Sequence, residues 1–140
     1  MSFSPQKEEP EVTLFKSNSS GVVIVRNLEV RSMCGHHLFP FIGTCSVAYV
    51  PFEYKAGLSK FQRVLDHFAE KPQDQENLTK QMLDFLVKKI NPRAMVITIT
   101  CKHTCMSGRG VKCHDAETTT LEEYFSGGDE AYLQKIYTQI

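Results

Sequence analysis

Two helix-periodic stretches lie back to back between Leu58 and Ile90, and strand-like runs flank them on both sides. In the first stretch Leu58, Phe61, Val64, Leu65 and Phe68 recur at helical spacing. Glu70-Lys71-Pro72-Gln73 breaks it, because proline inside a helix removes a hydrogen bond and clashes with the preceding turn. The second helix is expected from Gln75 to Ile90, with Leu78, Met82, Phe85, Leu86 and Ile90 as its apolar stripe. Asp74 and Glu76 suit its positive N-terminal end, and Asn91-Pro92 closes it.

Before the helices, Val22 to Val30 is rich in β-branched residues and reads as a strand. Phe41 to Val50 reads as a second: Phe41, Gly43, Cys45, Val47 and Tyr49 share one face, and Ile42, Thr44, Ser46, Ala48 and Val50 the other. The connection between them is short, so they form an antiparallel pair. After the helices, Arg93 to His103 alternates in the same way. Met106-Ser107-Gly108-Arg109-Gly110 is a glycine-rich turn, and Val111 to Leu121 is the fourth strand. Pro51 to Gly57 reads as a loop, and Asp129 to Gln139 as a C-terminal helix with Tyr132, Leu133 and Ile136 inward.

The order is β-β-α-α-β-β. It predicts an α+β domain: one four-stranded antiparallel sheet with two helices on one face. Such a sheet has two unprotected edges, and closing them against further copies of the chain is the expected solution. Residues 1–20 read as a flexible N-terminal arm, and residues 21–140 as a single domain.

With 140 residues the chain is long enough to bury a core without covalent staples. Lys and Arg together number 16, as do Asp and Glu, so no net field draws the chain to nucleic acid or to an acidic membrane. No apolar run approaches the length of a membrane span, and Met1 to Glu11 has no signal-peptide core, so a cytoplasmic location is expected. In that reducing compartment the five cysteines read as free thiols or metal ligands rather than disulfides.

Each hairpin carries a motif at its turn. Cys34-Gly35-His36-His37 joins the first two strands, and His103-Thr104-Cys105 begins the turn between the last two. If the hairpins lie side by side in the same sense, Cys34, His37 and Cys105 converge on one rim of the sheet. Two thiolates and one imidazole hold Zn2+ and leave its fourth position open, the pattern of a catalytic rather than a structural site. A lone cysteine is more often a small core residue, and it is the pairing of the two motifs that favours the metal. His36 and His103 remain as proton shuttles near neutral pH, or as groups that orient the ligands.

Gly57-Leu58-Ser59-Lys60-Phe61-Gln62-Arg63 places a hydroxyl and two cations at the start of a helix. Helix N-termini bind anions, so a phosphate-bearing substrate is implied, with Arg109 as a further cation. The same pattern also fits an ordinary solvated helix start. In Gln73-Asp74-Gln75-Glu76, a carboxylate in the first helical turn is usually a dipole contact, and its functional alternative is an acceptor for a guanine-like N–H pair.

Four segments together resemble the GTP cyclohydrolase I family: Ser32 to Phe41, Gly57 to Arg63, Pro72 to Thr79 and His103 to Gly110. The resemblance spans about Val22 to Phe125. It implies the tunnelling fold, assembled edge to edge into a barrel, commonly a decamer of two stacked pentamers. It implies zinc on Cys34, His37 and Cys105, and conversion of GTP to 7,8-dihydroneopterin triphosphate and formate, a step towards pterins, folates or deazaguanines. His36 and His103 would be its acid–base residues. Gln75 and Glu76 would hold the guanine edge, and Ser59, Lys60, Arg63 and Arg109 the triphosphate. Two departures stand out: Gly35 replaces the family's usual glutamate, and only about twenty residues precede the first strand, without the family's helical extension. They keep two alternatives open, a cyclohydrolase acting on another guanine nucleotide and a non-catalytic purine- or pterin-binding protein.

Overall fold

The structure is a computed structural model that describes residues 8–35, 40–103, 116–128 and 130–140, with only the backbone of His103. His36, His37, the Met106–Gly110 turn and the first part of the expected fourth strand lie outside the described residues.

The elements run β1 (Leu14–Lys16), β2 (Val23–Met33), β3 (Pro40–Val50), β4 (Tyr54–Ala56), α1 (Ser59–Ala69), α2 (Gln75–Ile90), β5 (Ala94–His103), β6 (Thr118–Phe125) and α3 (Glu130–Tyr137). β2, β3, β5 and β6 form one antiparallel sheet in the order β2-β3-β5-β6. This is the α+β arrangement expected. The two hairpins lie side by side, and the helices cross over between the central strands β3 and β5.

α1 packs along β2 and α2 across β5 and β6, both on one face of the sheet, here the helical face. Phe61, Val64 and Leu65 of α1 and Leu78, Met82 and Leu86 of α2 are fully buried there against Phe41, Cys45, Val47, Met95, Ile97 and Ile99. The alternation read from β3 therefore faces inward as expected at Phe41, Cys45, Val47 and Tyr49. A bulge between Val25 and Leu28, with Asn27 in the left-handed region (φ 64°), resets the phase of β2. Beyond it Leu28, Val30 and Ser32 face the helices. Gly43 lies opposite Cys101, and a Cβ there would collide with the Thr100 carbonyl oxygen and come within 2.7 Å of Cys101 Cα. Only glycine lets β3 and β5 approach this closely.

Three features depart from the expectation. Tyr54–Ala56, read as loop, pairs antiparallel with Leu14–Lys16 as a separate two-stranded sheet. β6 begins at Thr118 and continues to Phe125, past the expected end at Leu121. The terminal helix covers the opposite, open face of the sheet, where Leu133 and Ile136 bury Ala48, Val50, Ala94 and Val96. Arg93 helps hold it there, its guanidinium 4.3 Å from the centre of the Phe52 ring and 5.0 Å from that of Tyr132. Among the described residues nothing covers the half of the open face nearer the hairpin turns, where Ile42 and Leu121 are exposed. Among the described residues no helix is long and apolar enough to cross a membrane.

Candidate functional site

The sheet register decides which motifs can meet. Ser32 pairs with Phe41, Phe41 pairs with His103, and Cys101 pairs with Thr118. The two hairpin turns therefore leave the sheet along the same rim. Cys34 follows directly on β2 at this rim, and the backbone of His103 ends β5 at the same rim, on the far side of β3.

Cys34 is a partly buried free thiol just past the last rung of the β2–β3 ladder, Met33↔Pro40. It forms a parallel bridge with Gln73 in the connection between the helices. The Gln73 N–H donates to the Met33 carbonyl at 2.8 Å, and the Gly35 N–H donates to the Gln73 carbonyl at 3.1 Å. Ser32 Oγ donates to the carbonyls of Ala69 (3.0 Å) and Lys71 (3.4 Å), fastening the same connection to β2. The end of α1, the start of α2 and the Cys34 turn thus share the rim.

α2 begins with a complete N-terminal cap: Asp74 accepts from the Asn77 N–H at 2.7 Å and from the Asn77 side chain at 2.9 Å. Gln75 is buried, and its Nε2 donates to the carbonyls of Ile99 (2.9 Å) and Thr118 (2.8 Å) and to Thr120 Oγ1 (3.3 Å). That side-chain nitrogen ties α2 to β5 and β6. Glu76, one residue on, is exposed at the same end.

Ser59, Lys60 and Arg63 lie elsewhere. α1 runs along β2, with Gln62 bonded to the backbone of Glu29 in both directions and Ala69 reaching Ser32. Its 11 residues span about 16 Å, so Ser59 and Lys60 sit a whole helix length from the rim. Ser59 and Arg63 are exposed and Lys60 is half-buried. Within one chain these three anion-binding candidates do not meet Cys34. His37, Cys105, His36 and Arg109 lie outside the described residues.

The described residues fit a zinc site as far as they reach. Cys34 is a free thiol at the rim, whereas Cys45 and Cys101 are buried beneath the helices, their thiols pushed up to about 12 by burial. Packed into the apolar core, those two are core residues. Among the described residues no three His, Cys, Asp or Glu side chains gather to hold a metal. A zinc at the rim would therefore take its further ligands from the turns that carry His37 and Cys105.

Ser32 and Gln73 were not singled out as chemistry-bearing in the sequence. The signal for Ser32 is a hydroxyl in phase with the buried Leu28 and Val30. Gln73 lies in a proline-broken linker and gives no periodic signal.

Residues 2–134 match the profile of the family described as GTP cyclohydrolase I. The chain is 42% identical over 107 residues to the GTP cyclohydrolase 1 of Methylococcus capsulatus, covering 76% of this chain and 58% of that one. It is 42% identical over 122 residues to that of Desulforamulus reducens, covering 84% and 65%. For Carboxydothermus hydrogenoformans the identity is 44% over 107 residues, covering 76% and 56%. The chain thus spans 56–65% of the length of these relatives. Among solved structures, an archaeosine synthase QueF-Like in the apo form superposes with a TM-score of 0.60 at 15% identity, covering 78% of this chain and 98% of that one. This likeness concerns the fold alone, which is the tunnelling fold.

Proposed function

The chain belongs to the GTP cyclohydrolase I family, and from that premise we propose that it is a zinc-dependent enzyme hydrolysing GTP at C8 of the purine. The imidazole ring opens, formate leaves, and the ribose carbons close a new ring to give 7,8-dihydroneopterin triphosphate. The single observation that carries the reading is the Phe41↔His103 register, which sends both motif-bearing turns from one rim. Cys34, His37 and Cys105 hold the zinc. When bound it supplies Lewis acidity and a water whose pKa is brought toward neutrality. His36 and His103 move protons at the purine and the ribose. Glu76 accepts the guanine N–H pair, with Gln75 fixing the helix end beside it.

Ser59, Lys60, Arg63 and Arg109 hold the triphosphate. Ser59 and Lys60 lie about 14–15 Å and Arg63 about 9 Å along α1 from the rim of their own chain, so they serve the rim of a neighbouring copy. The edge strands β2 and β6 are the surfaces through which copies join into a barrel, a decamer in this reading.

Incubating the zinc-loaded protein with GTP tests the proposal. Formate and a fluorescent pterin after oxidation are expected, and their absence sinks it. A second reading, the same ring opening on another guanine nucleotide, draws on Gly35. Among the described residues a Cβ there would approach nothing closer than 3.9 Å, so none of them demands glycine and the missing side chain removes a charge at the rim. Turnover of GMP or GDP in preference to GTP would select this reading.

A further inference from the structure

We propose that Gln73 is a positioning residue for the Cys34 thiolate, an inference that rests on the metal reading above. The ladder holding β2 to β3 ends at Met33↔Pro40. Beyond it, the backbone on both sides of Cys34 is gripped by one residue from another segment. Gln73 donates its N–H to Met33 and accepts with its carbonyl from Gly35. The direction in which Cys34 presents its sulfur therefore depends on where Gln73 is held.

Gln73 is held by its own side chain, which is buried at 6% exposure. Its Nε2 donates to the Phe68 carbonyl (3.2 Å) in the last turn of α1 and to Gln81 Oε1 (2.9 Å) on α2. The Phe68 carbonyl is one of the four that a helix end leaves without a partner inside the helix. One carboxamide thus seals the end of α1, locks onto α2 and sets the strut against which the Cys34 turn leans. An apolar side chain of the same volume would fill the space but leave two part-buried acceptors without this donor. Groups that support a metal ligand from behind are typically worth 10–100-fold in metal affinity.

The test uses metal binding rather than turnover. Cobalt(II) serves as the spectroscopic probe through its thiolate charge-transfer band, and zinc affinity is measured by competition. Gln73→Met, close in size, should bind zinc about tenfold more weakly, with a shifted or weakened cobalt–thiolate band. Gln81→Glu keeps the acceptor and should retain wild-type affinity. Gln62→Ala removes two side chain–backbone hydrogen bonds on β2, away from the rim. It should lower thermal stability and leave zinc affinity unchanged, separating positioning from general destabilisation. If Gln73→Met does not fold, Gln81→Leu replaces it, with a loss of about threefold expected, since one of the two anchors remains. Wild-type affinity and an unaltered cobalt spectrum in the folded variant would overturn the role of Gln73. A wild-type protein with no cobalt–thiolate band would overturn the metal reading, and this inference with it.

Discussion

The two helices of the helical face begin in opposite ways. α2 closes its own N-terminus: Asp74 accepts from Asn77, Glu76 sits in the first turn, and Gln75 is tied across two strands. α1 has none of this. Leu58, in the cap position, is already helical, makes no side-chain cap, and is followed by no acid in the first turn. Instead it offers Ser59 and Lys60, with Arg63 one turn later. A helix start that supplies its own carboxylates repels a second anion, whereas one left uncapped and flanked by cations invites it. The first suits an end that must be rigid and recognise N–H groups. The second suits the phosphate-binding end of the proposed function.

The largest expected effect sharpens the first half of this contrast. Glu76→Ala should lower kcat/KM for GTP on the order of a thousandfold, because the guanine N–H groups lose their acceptor. Discrimination between GTP and inosine triphosphate, measured with the same enzyme, should narrow. Unchanged discrimination would remove Glu76 from the guanine edge. Next comes the open end: Lys60→Ala and Arg63→Ala should each raise KM for GTP roughly tenfold, the scale of one charge-assisted hydrogen bond. The salt dependence of KM should flatten while the melting temperature stays put. A fall in stability equal to that of a cap mutation would mean that the two helix starts are not different in kind.

Asp74→Ala should do the reverse, costing about 1 kcal/mol of stability in thermal or denaturant unfolding with little change in KM for GTP. The last effect, seen only in alkali, comes from the core that both helices cover. The Cys45 and Cys101 thiols are raised by burial from near 9 to about 12, so folding favours their protonated forms. Their contribution is complete below pH 9 and is lost as pH climbs from 9 toward 12. Unfolding measured across that window should show stability falling with pH, and Cys45→Ala should make the fall shallower.

The parts of the fold that were legible in the chain are those with local causes. α2 spans Gln75–Ile90 as read, because its stripe, its cap and Asn91-Pro92 act within one segment. β3 was legible from its alternation, and the shared rim followed from setting the hairpins side by side. What escaped depends on remote partners. Tyr54–Ala56 is a strand only because Leu14–Lys16 lies beside it; a short extended piece at residues 12–15 can be read from the arm, but its partner in the loop carries too little alternation to announce itself. α3 has an ordinary apolar stripe, and nothing local says that its target is the far face of the sheet. Gln75, read from the family resemblance as a contact for substrate, spends its side-chain nitrogen on β5 and β6, a use visible only once three elements are in place. The distance between the Lys60 end of α1 and the rim has the same origin: it depends on helix direction rather than residue type.

The adjacency of β3 and β5 has a consequence for the chain as it is made. On the ribosome β3 emerges early, pairs with β2, and must wait through the synthesis of both helices before its other edge is covered. During that interval Phe41, Cys45 and Val47 lie beside unpaired backbone, an open template for strands of other nascent chains. The register that later builds the rim is also the strand pairing with the greatest sequence separation, so the domain should fold slowly for its size and benefit from a chaperone.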